Sequence, residues 1–398
     1  MARKGCIMES YLRRTWADIS LDAVEKNYKI IKSRLNDGVK MLCVIKANAY
    51  GHGAVRLANI YEELGADWFA VSNLEEALQL RQGGISLPIL ILGYTDPSAA
   101  KLLSDNNVTQ AVFSDEYARR LNDFASASNV NVGAHIKIDT GMSRIGFYLH
   151  KNEDEDSFRQ KISSLKDFRN LDISGAFTHF AVADEQKGKP FVNRQFDMFT
   201  LGCGIIKECG FDLRLRHCCN SAGTMCYPEM QLDMVRNGIT LYGLAPSDEL
   251  YDKFGLEQVM SLRSVISLVK TLHKGDTVSY GRTFTADRDM KIATVAIGYA
   301  DGFPRLASNK YSVLVNGVRC KITGRVCMDQ IMIDVTGVDA KAGDTVTIFG
   351  CDNGSFIPVD ELSSLIGTIN YETVCDINGR VARRYIRHGK EIAVDSLL

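Results

Sequence analysis

The sequence predicts an α/β protein: a (β/α)8 barrel of the TIM type followed by a mostly antiparallel β domain. Three observations predict it. Eight short runs rich in Val, Ile and Leu alternate with amphipathic segments between Trp16 and Gly243. No G-x-G-x-x-G follows the first run, which disfavours an open doubly wound sheet. After Pro246 the pattern turns to β-branched, period-2 runs with few helical crossovers. At 398 residues the chain is too long for one ordinary compact domain. The expected division is an N-terminal extension at 1–13, a barrel at 14–247 and a β-rich domain at 248–398.

The elements follow in order. Ser20 is placed to cap a helix in which Leu21, Val24, Tyr28, Ile31 and Leu35 recur at helical spacing. Barrel strands are expected at 41–47, 68–73, 87–93, 108–114, 130–139, 171–180, 212–220 and 232–241. Their near-continuous apolar character suits strands buried on both faces. In the second domain, strands are expected at 263–272, 277–286, 291–299, 311–323, 332–336 and 345–349. Val315-Asn316-Gly317-Val318 signals a two-residue hairpin, and 359–366 reads as a helix.

Lys+Arg (47) and Asp+Glu (48) cancel and are interspersed, so no nucleic-acid or other polyanionic partner is expected. The eleven cysteines include no C-x-x-C pair and sit mainly in apolar runs such as MLCVIKA. That is the pattern of buried thiols in a reducing compartment. The N-terminus carries no apolar signal core. The longest strongly apolar run, LPILILG, is far short of the ~20 residues of a membrane span. A cytoplasmic protein without a membrane association is expected.

In such a barrel, chemistry collects at the C-terminal strand ends. Those ends read Lys46 and Tyr50, then Ser72, Tyr94, Ser114, Asp139, His179 and Asn220-Ser221, with Arg236 inside the eighth strand. They hold too few carboxylates and no His/Cys tetrad, so no metal site is expected. Lys46 is either a solvated strand terminus or an amine desolvated in the barrel mouth and able to form a Schiff base. Tyr50 offers a hydroxyl to a phosphate, while Gly51 and Gly53 would let backbone approach a ligand. The loops around Asn220-Ser221 and Asn237-Gly238-Ile239 fall where barrels commonly bind phosphate. Singly each reads as ordinary turn chemistry. Together with the lysine they point to pyridoxal 5'-phosphate.

The segment Val44-Ile45-Lys46-Ala47-Asn48-Ala49-Tyr50-Gly51-His52-Gly53 resembles the cofactor-lysine signature of alanine racemases. The resemblance continues through KIDTGMSRIGF, THFAVADE, NSAGTMCYP, VRNGITLYG, VSYGRTF, GYADGFPR, GRVCMDQ and GTINYE, in the family's order and spacing. It implies a pyridoxal-phosphate-dependent isomerase that interconverts L- and D-alanine by two-base proton transfer on the cofactor aldimine, supplying D-alanine for peptidoglycan. By the same resemblance Lys46 carries the cofactor and is one base, and Tyr280 is the second. Tyr50, Ser221, Gly238, Ile239 and Tyr371 match the phosphate binders, with Asn220 beside them. Arg236 matches the arginine at the pyridine nitrogen, His217 its support and His179 the histidine beside the catalytic tyrosine. Arg144, Met328 and Tyr299 match residues near the substrate carboxylate and the path to it. Lys137 matches a lysine carbamylated in many relatives. The family forms homodimers with shared active sites.

Three positions depart from the family's usual pattern. Ser143 stands where glycine is common, Gly223 where alanine is common, and Arg282 where a small residue follows Tyr280-Gly281. A serine-preferring or broad-specificity racemase is the alternative. Tyr371 favours alanine over it, because a smaller polar residue at that position would make room for a serine hydroxyl.

Overall fold

The computed structural model describes residues 13–396, so all but Arg13 of the expected extension at 1–13 lies outside the described residues. The chain divides into two compact units. One comprises Glu25–Ala49 and Ala54–Leu256; the other takes the described N-terminal residues through Val24, the short insert Tyr50–Gly53, and the chain from Glu257 onward.

The first strand, β1 (Thr15–Ser20), opens the expected barrel segment in sequence, yet it pairs with the C-terminal sheet and not with a barrel strand. Helix α1 (Leu21–Lys32) follows, with Ser20 Oγ accepting from the Ala23 N–H. Eight parallel strands then build the barrel. They are β2 (Lys40–Val44), β3 (Trp68–Val71), β4 (Ile89–Ile91), β5 (Val108–Val112), β6 (Val132–Asp139), β7 (Leu171–Phe177), β8 (Leu215–His217) and β9 (Met234–Asn237). Neighbours pair in sequence order from β2 to β8, and β9 returns to β2. The Asp233 N–H donates to Arg216 O (3.2 Å) and the Arg236 N–H to Cys219 O (3.0 Å), which closes the ring between β8 and β9. Met41, Leu42 and Cys43 on β2 and all of β4 are fully buried, as near-continuous apolar runs require.

Two of the polar strand ends serve the fold. Ser114 caps the helix Asp115–Ala127 through the Tyr117 N–H, and the Ser72 N–H donates to Glu76. Tyr94 is exposed, its hydroxyl directed at Asp96. None of the cysteines among the described residues forms a disulfide. No helix among them is long and apolar enough to cross a membrane.

The C-terminal unit contains β10 (Met260–Leu272), β11 (Met290–Val295), β12 (Ser312–Val315), β13 (Val318–Lys321), β14 (Ile331–Asp334), β15 (Thr345–Asp352), β16 (Ser355–Ile357), β17 (Ala382–Arg387) and β18 (Lys390–Asp395). The main order is β13-β12-β15-β10-β1-β17-β18, with β11 joining β10 to β14. Every pairing is antiparallel except β1 with β17. Asn316 (φ 52) and Gly317 (φ 77) are both left-handed, the conformation a tight hairpin needs. The expected strand 277–286 is broken instead: Thr277–Val278 and Phe284–Thr285 pair across a turn whose Ser279 (φ 66), Gly281 (φ 70) and Arg282 (φ 50) are left-handed. The hairpin β17–β18 and the helix Asn370–Cys375 carry no strong periodicity in sequence.

The insert Tyr50–Gly53 corrects one reading. Gly51 and Gly53 approach protein atoms, not open space for a ligand. A Cβ on Gly51 would stand 2.3 Å from Val374 O, and one on Gly53 would stand 1.8 Å from the Tyr385 hydroxyl. Arg383, buried under the same turn, donates to Gly51 O (3.0 Å) and to the carbonyls of Asn378 and Val381. The segment after the lysine is thus pinned by close backbone contact that a side chain would block. We expect Gly53→Ala, with φ +100 and no room, to cost on the order of 3 kcal/mol, read as a lowered urea midpoint. A midpoint equal to wild type would refute the close-packing account.

Candidate active site

The barrel unit presents Lys46 on a strained support. Ala47, Asn48 and Ala49 have φ between 50 and 54 with ψ near 50, a left-handed turn built without glycine, and Tyr50 continues it at φ 52. Such conformations cost roughly 1–2 kcal/mol per residue and persist only when the surroundings over-determine them. Here they do. Glu76 accepts from the Ala47 N–H (2.7 Å) and the Ser72 N–H (2.8 Å). Asn48 Oδ1 accepts from the Ala54 N–H (2.8 Å), and the Tyr242 hydroxyl donates to Val44 O (2.9 Å) at the strand end. Glu76 and Tyr242 are site residues that sequence reasoning missed, because their role is to hold another residue's backbone.

Arg236 is buried inside the barrel. Nη1 donates to His217 Nδ1 (3.1 Å) and His217 O (2.8 Å). Nη2 donates to Thr178 O (2.7 Å), Cys218 O (3.1 Å) and His179 Nδ1 (3.3 Å). Nε has no acceptor among the described residues, so one planar N–H of a fixed guanidinium is left over. Burial brings Arg236 down to about 10, which keeps it a charged donor at neutral pH. His179 and His217 are held below the usual histidine range by burial first and by Arg236 second. His135, which adjoins His217, is brought to about 3 by burial, with Arg214 adding to it.

Lys137 shares the inward face of β6 with His135 and Asp139. It is 3% exposed, its Nζ has no hydrogen-bond partner among the described residues, and it stands 5.0 Å from the Phe177 ring. Burial, then Arg236 and Arg144, lower its basicity well below the lysine norm. Asp139 accepts from the Gly141 and Ser143 N–H groups and lies 3.3 Å from His150 Nε2, shaping the loop that carries Arg144. Ser143 has φ 55, which is the physical reason a glycine suits that position.

Opposite these groups in sequence lie the two candidate phosphate loops. Ser221 Oγ accepts from the Gly238 N–H (2.9 Å) and the Thr240 hydroxyl (3.1 Å), leaving its own proton to donate. The Ile239 N–H has no acceptor among the described residues. The Asn220 side chain is engaged with protein at both ends, capping Gly223 N and donating to Phe180 O. These donors with a lysine at the mouth fit a phosphorylated aldehyde whose ring nitrogen needs one hydrogen-bond donor. No group of residues that could hold a metal ion occurs among the described residues.

The C-terminal unit carries the remaining candidates. Tyr280, Tyr299 and Met328 are all exposed, Tyr280 at 70%. The Tyr299 N–H donates to Cys327 O, the Ala300 N–H to Met328 O, and Ser279 Oγ to Arg325 O. One loop at 325–328 thereby holds all three together. Arg14, Asp301, Arg380 and Asp329 form an ion chain that fixes the two loops bearing Tyr299 and Met328. In the same unit Tyr371 lies near Tyr50, ring centres 6.1 Å apart.

Residues 19–246 match the alanine racemase N-terminal domain family and residues 259–385 the alanine racemase C-terminal domain family. The chain is 43% identical over 380 residues to alanine racemase of Desulfovibrio desulfuricans, covering 95% of this chain and all of that one. Alanine racemase of Clostridium difficile 630 superposes with a TM-score of 0.91 at 39% identity, covering 97% of this chain and 99% of that one. Alanine racemase of Bacillus anthracis, solved with bound L-Ala-P, gives 0.91 at 38%, covering 97% and 98%.

The buried histidines predict a pH dependence of stability. His135, His179 and His217 are neutral in the native protein, while unfolded histidine takes a proton near pH ~6.5. Below that pH the unfolded chain binds more protons than the native one. Stability is therefore complete above about pH 6.5 and falls as pH drops toward the folded values. The urea midpoint should decline from pH 7 to 5 with a slope approaching about three protons. His135→Asn should reduce that slope, and a flat profile would refute the neutral cluster.

Proposed function

The chain belongs to the alanine racemase family of pyridoxal-phosphate-dependent isomerases, and from that premise we propose that it interconverts L- and D-alanine by two-base proton transfer. The observation that carries the reading is Arg236, a buried guanidinium with both Nη groups spent on protein acceptors and Nε left over. When bound, pyridoxal phosphate supplies the electron sink that makes the alanine Cα proton removable. Lys46 holds it covalently. Ser221 and the Ile239 N–H would hold its phosphate, with the Gly238 N–H orienting the Ser221 hydroxyl, and the family's pattern adds Tyr50 and Tyr371. Arg236 Nε–H serves the pyridine nitrogen. A charged guanidinium donates and does not give up its proton, so that nitrogen stays unprotonated and the electron sink is kept weak. This limits side reactions.

The bases are Lys46 on one face of the substrate and the partner subunit's Tyr280 on the other. From L-alanine the phenolate takes the Cα proton and the protonated Lys46 amine gives one to the opposite face; from D-alanine the neutral Lys46 amine takes the proton and the Tyr280 hydroxyl gives one. His179 accepts from Arg236 at Nδ1, so its proton sits on Nε2, available to the phenolate oxygen. Arg144 and Met328 bind near the carboxylate and Tyr299 lines the path to it. The exposed trio of Tyr280, Tyr299 and Met328 is what a shared site in a homodimer would cover. The bulk of Tyr371 supports alanine over serine, and D-alanine for peptidoglycan in the cytoplasm is the expected role.

Lys137 is set up for carbamylation. Its neutral amine would add to carbon dioxide, forming the N–C bond and releasing one proton, and the resulting anion would face Arg144 and Arg236 in place of a third cation. Protein prepared in labelled bicarbonate should show one carbamate carbon signal that Lys137→Gln removes. A wild-type protein without the signal would refute the modification.

The shared site is tested by complementation. Lys46→Ala and Tyr280→Ala homodimers should each be nearly inactive. Co-refolded, random pairing gives heterodimers in which one site is intact, so activity should recover to roughly a quarter of wild type. A mass-verified heterodimer without activity would sink the shared-site model.

A further inference from the structure

The barrel interior holds one histidine to which the reaction assigns no task. His135 lies on β6, fully buried, with its Nδ1 3.0 Å from His217 Nε2. Its imidazole occupies a slot in the barrel wall. A Cβ on Gly175 of β7 would stand 2.6 Å from the ring's Cδ2 and Nε2, so the glycine is what makes room for it. Trp68 covers it, ring centres 5.4 Å apart. Its Nε2 has no partner among the described residues. A buried polar ring left with one unmet atom, in a slot cut for it, needs a reason beyond packing.

Proton positions along this chain follow from Arg236. The guanidinium has no acceptor to offer, so the nitrogen it meets on His217, Nδ1, carries a lone pair. His217 is neutral, so its proton is on Nε2. That nitrogen meets His135 Nδ1, which must then be the acceptor, and the His135 proton goes to its Nε2. Each link has one donor and one acceptor, and no other assignment of neutral rings avoids setting two donors against each other.

We propose that His135 is a positioning residue whose Nδ1 accepts the His217 Nε2–H and so holds the ring that aims the Arg236 guanidinium. Without an acceptor at position 135, the His217 Nε2–H is buried unpaired. Moving its proton to Nδ1 would only set it against the Arg236 Nη1–H, so the ring turns toward another acceptor. Arg236 then loses one of the bonds that hold its plane. Phe177 is the third wall of this arrangement: the His217 ring stacks on it at 5.0 Å and 4°, and Arg236 lies 5.5 Å from its centre. The inference rests on the reading that Arg236 serves the pyridine nitrogen only for its effect on the reaction; the hold of His135 on the His217 ring does not depend on it.

The test separates the two. Nitrogen NMR on histidine-labelled full-length protein reads the tautomer directly. Wild type should show His217 as Nε2–H, assigned by its loss in His217→Asn; a wild-type Nδ1–H signal would overturn the proposal whatever the variants do. His135→Leu removes the acceptor and should shift the His217 Nε2–H signal to that of a proton without its hydrogen bond, and the Nδ1 signal with it as the ring leaves Arg236. His135→Asn, whose Oδ1 replaces the acceptor, should restore it, and keeps the proposal open to refutation if the leucine variant fails to fold. An unchanged His217 pattern in His135→Leu would overturn the proposal. The downstream readout is the ratio of pyruvate formation, in which alanine gives its amino group to the cofactor, to racemisation. That ratio should rise on the order of tenfold in His135→Leu and return toward wild type in His135→Asn. Arg236→Glu sets the upper bound. If Arg236→Glu leaves the ratio unchanged while the His217 signals shift as expected in His135→Leu, the pyridine assignment of Arg236 fails and the hold of His135 on His217 stands.

Discussion

A guanidinium buried in a barrel needs acceptors for its donors, and much of this site is the consequence of supplying them to both Nη groups while leaving Nε open. Arg236 is fixed by the Thr178, His217 and Cys218 carbonyls and by two imidazole nitrogens. Those carbonyls lie at the ends of β7 and β8, so the loops bearing His179 and Ser221 are placed by the same bonds. The two histidines must be neutral to accept, and burial among cations keeps them so. The guanidinium thus sets protonation states as well as positions. A lysine in its place would offer three donors without a plane and could lose its proton when buried.

The second constraint is the left-handed turn after Lys46. Ala47 to Tyr50 adopt a conformation their side chains disfavour, held on one side by Glu76 and Asn48 and continued into Gly51 and Gly53. Those glycines meet Val374 O and the Tyr385 hydroxyl, in the unit formed by the C-terminal sheet. A segment five residues from Lys46 is therefore packed within the unit of the C-terminal sheet. The strain has a function if the lysine amine must point one way through a cycle in which its covalent partner is exchanged.

The charge pattern inside the barrel is the third feature. Burial and the nearby Arg236 and Arg144 hold the Lys137 amine well below the lysine norm, with Asp139 in partial compensation, and Arg144 adds to the effect of burial on Arg236. Unrelieved, this would be costly. It is relieved by the neutrality of the amine, by π contact with Phe177 and, on our reading, by carbamylation and an anionic substrate carboxylate.

The sequence by itself determined most of the barrel strands, because strands buried on both faces read as near-continuous apolar runs; β8, Leu-Arg-His, has no such run and was legible only from its place in the alternation. It also determined the Asn316-Gly317 hairpin and the family, through motifs that span 19–385. Strand β1 was not legible: its six residues read as the lead into a helix, and only the partners at 260–264 and 382–386 make them a strand. The break in 277–286 was hidden because the β-branched pattern continues across a turn whose left-handed residues include Ser279 and Arg282. Glu76, Tyr242 and His135 carry no motif of their own. Hydrogen bonds to a backbone, or to another ring, depend on distances across the fold, and one-dimensional spacing does not encode which buried group will be left needing an acceptor. That choice belongs to the tertiary structure, since it is made only when Arg236, His217 and His135 are brought within 3.1 Å of one another in turn.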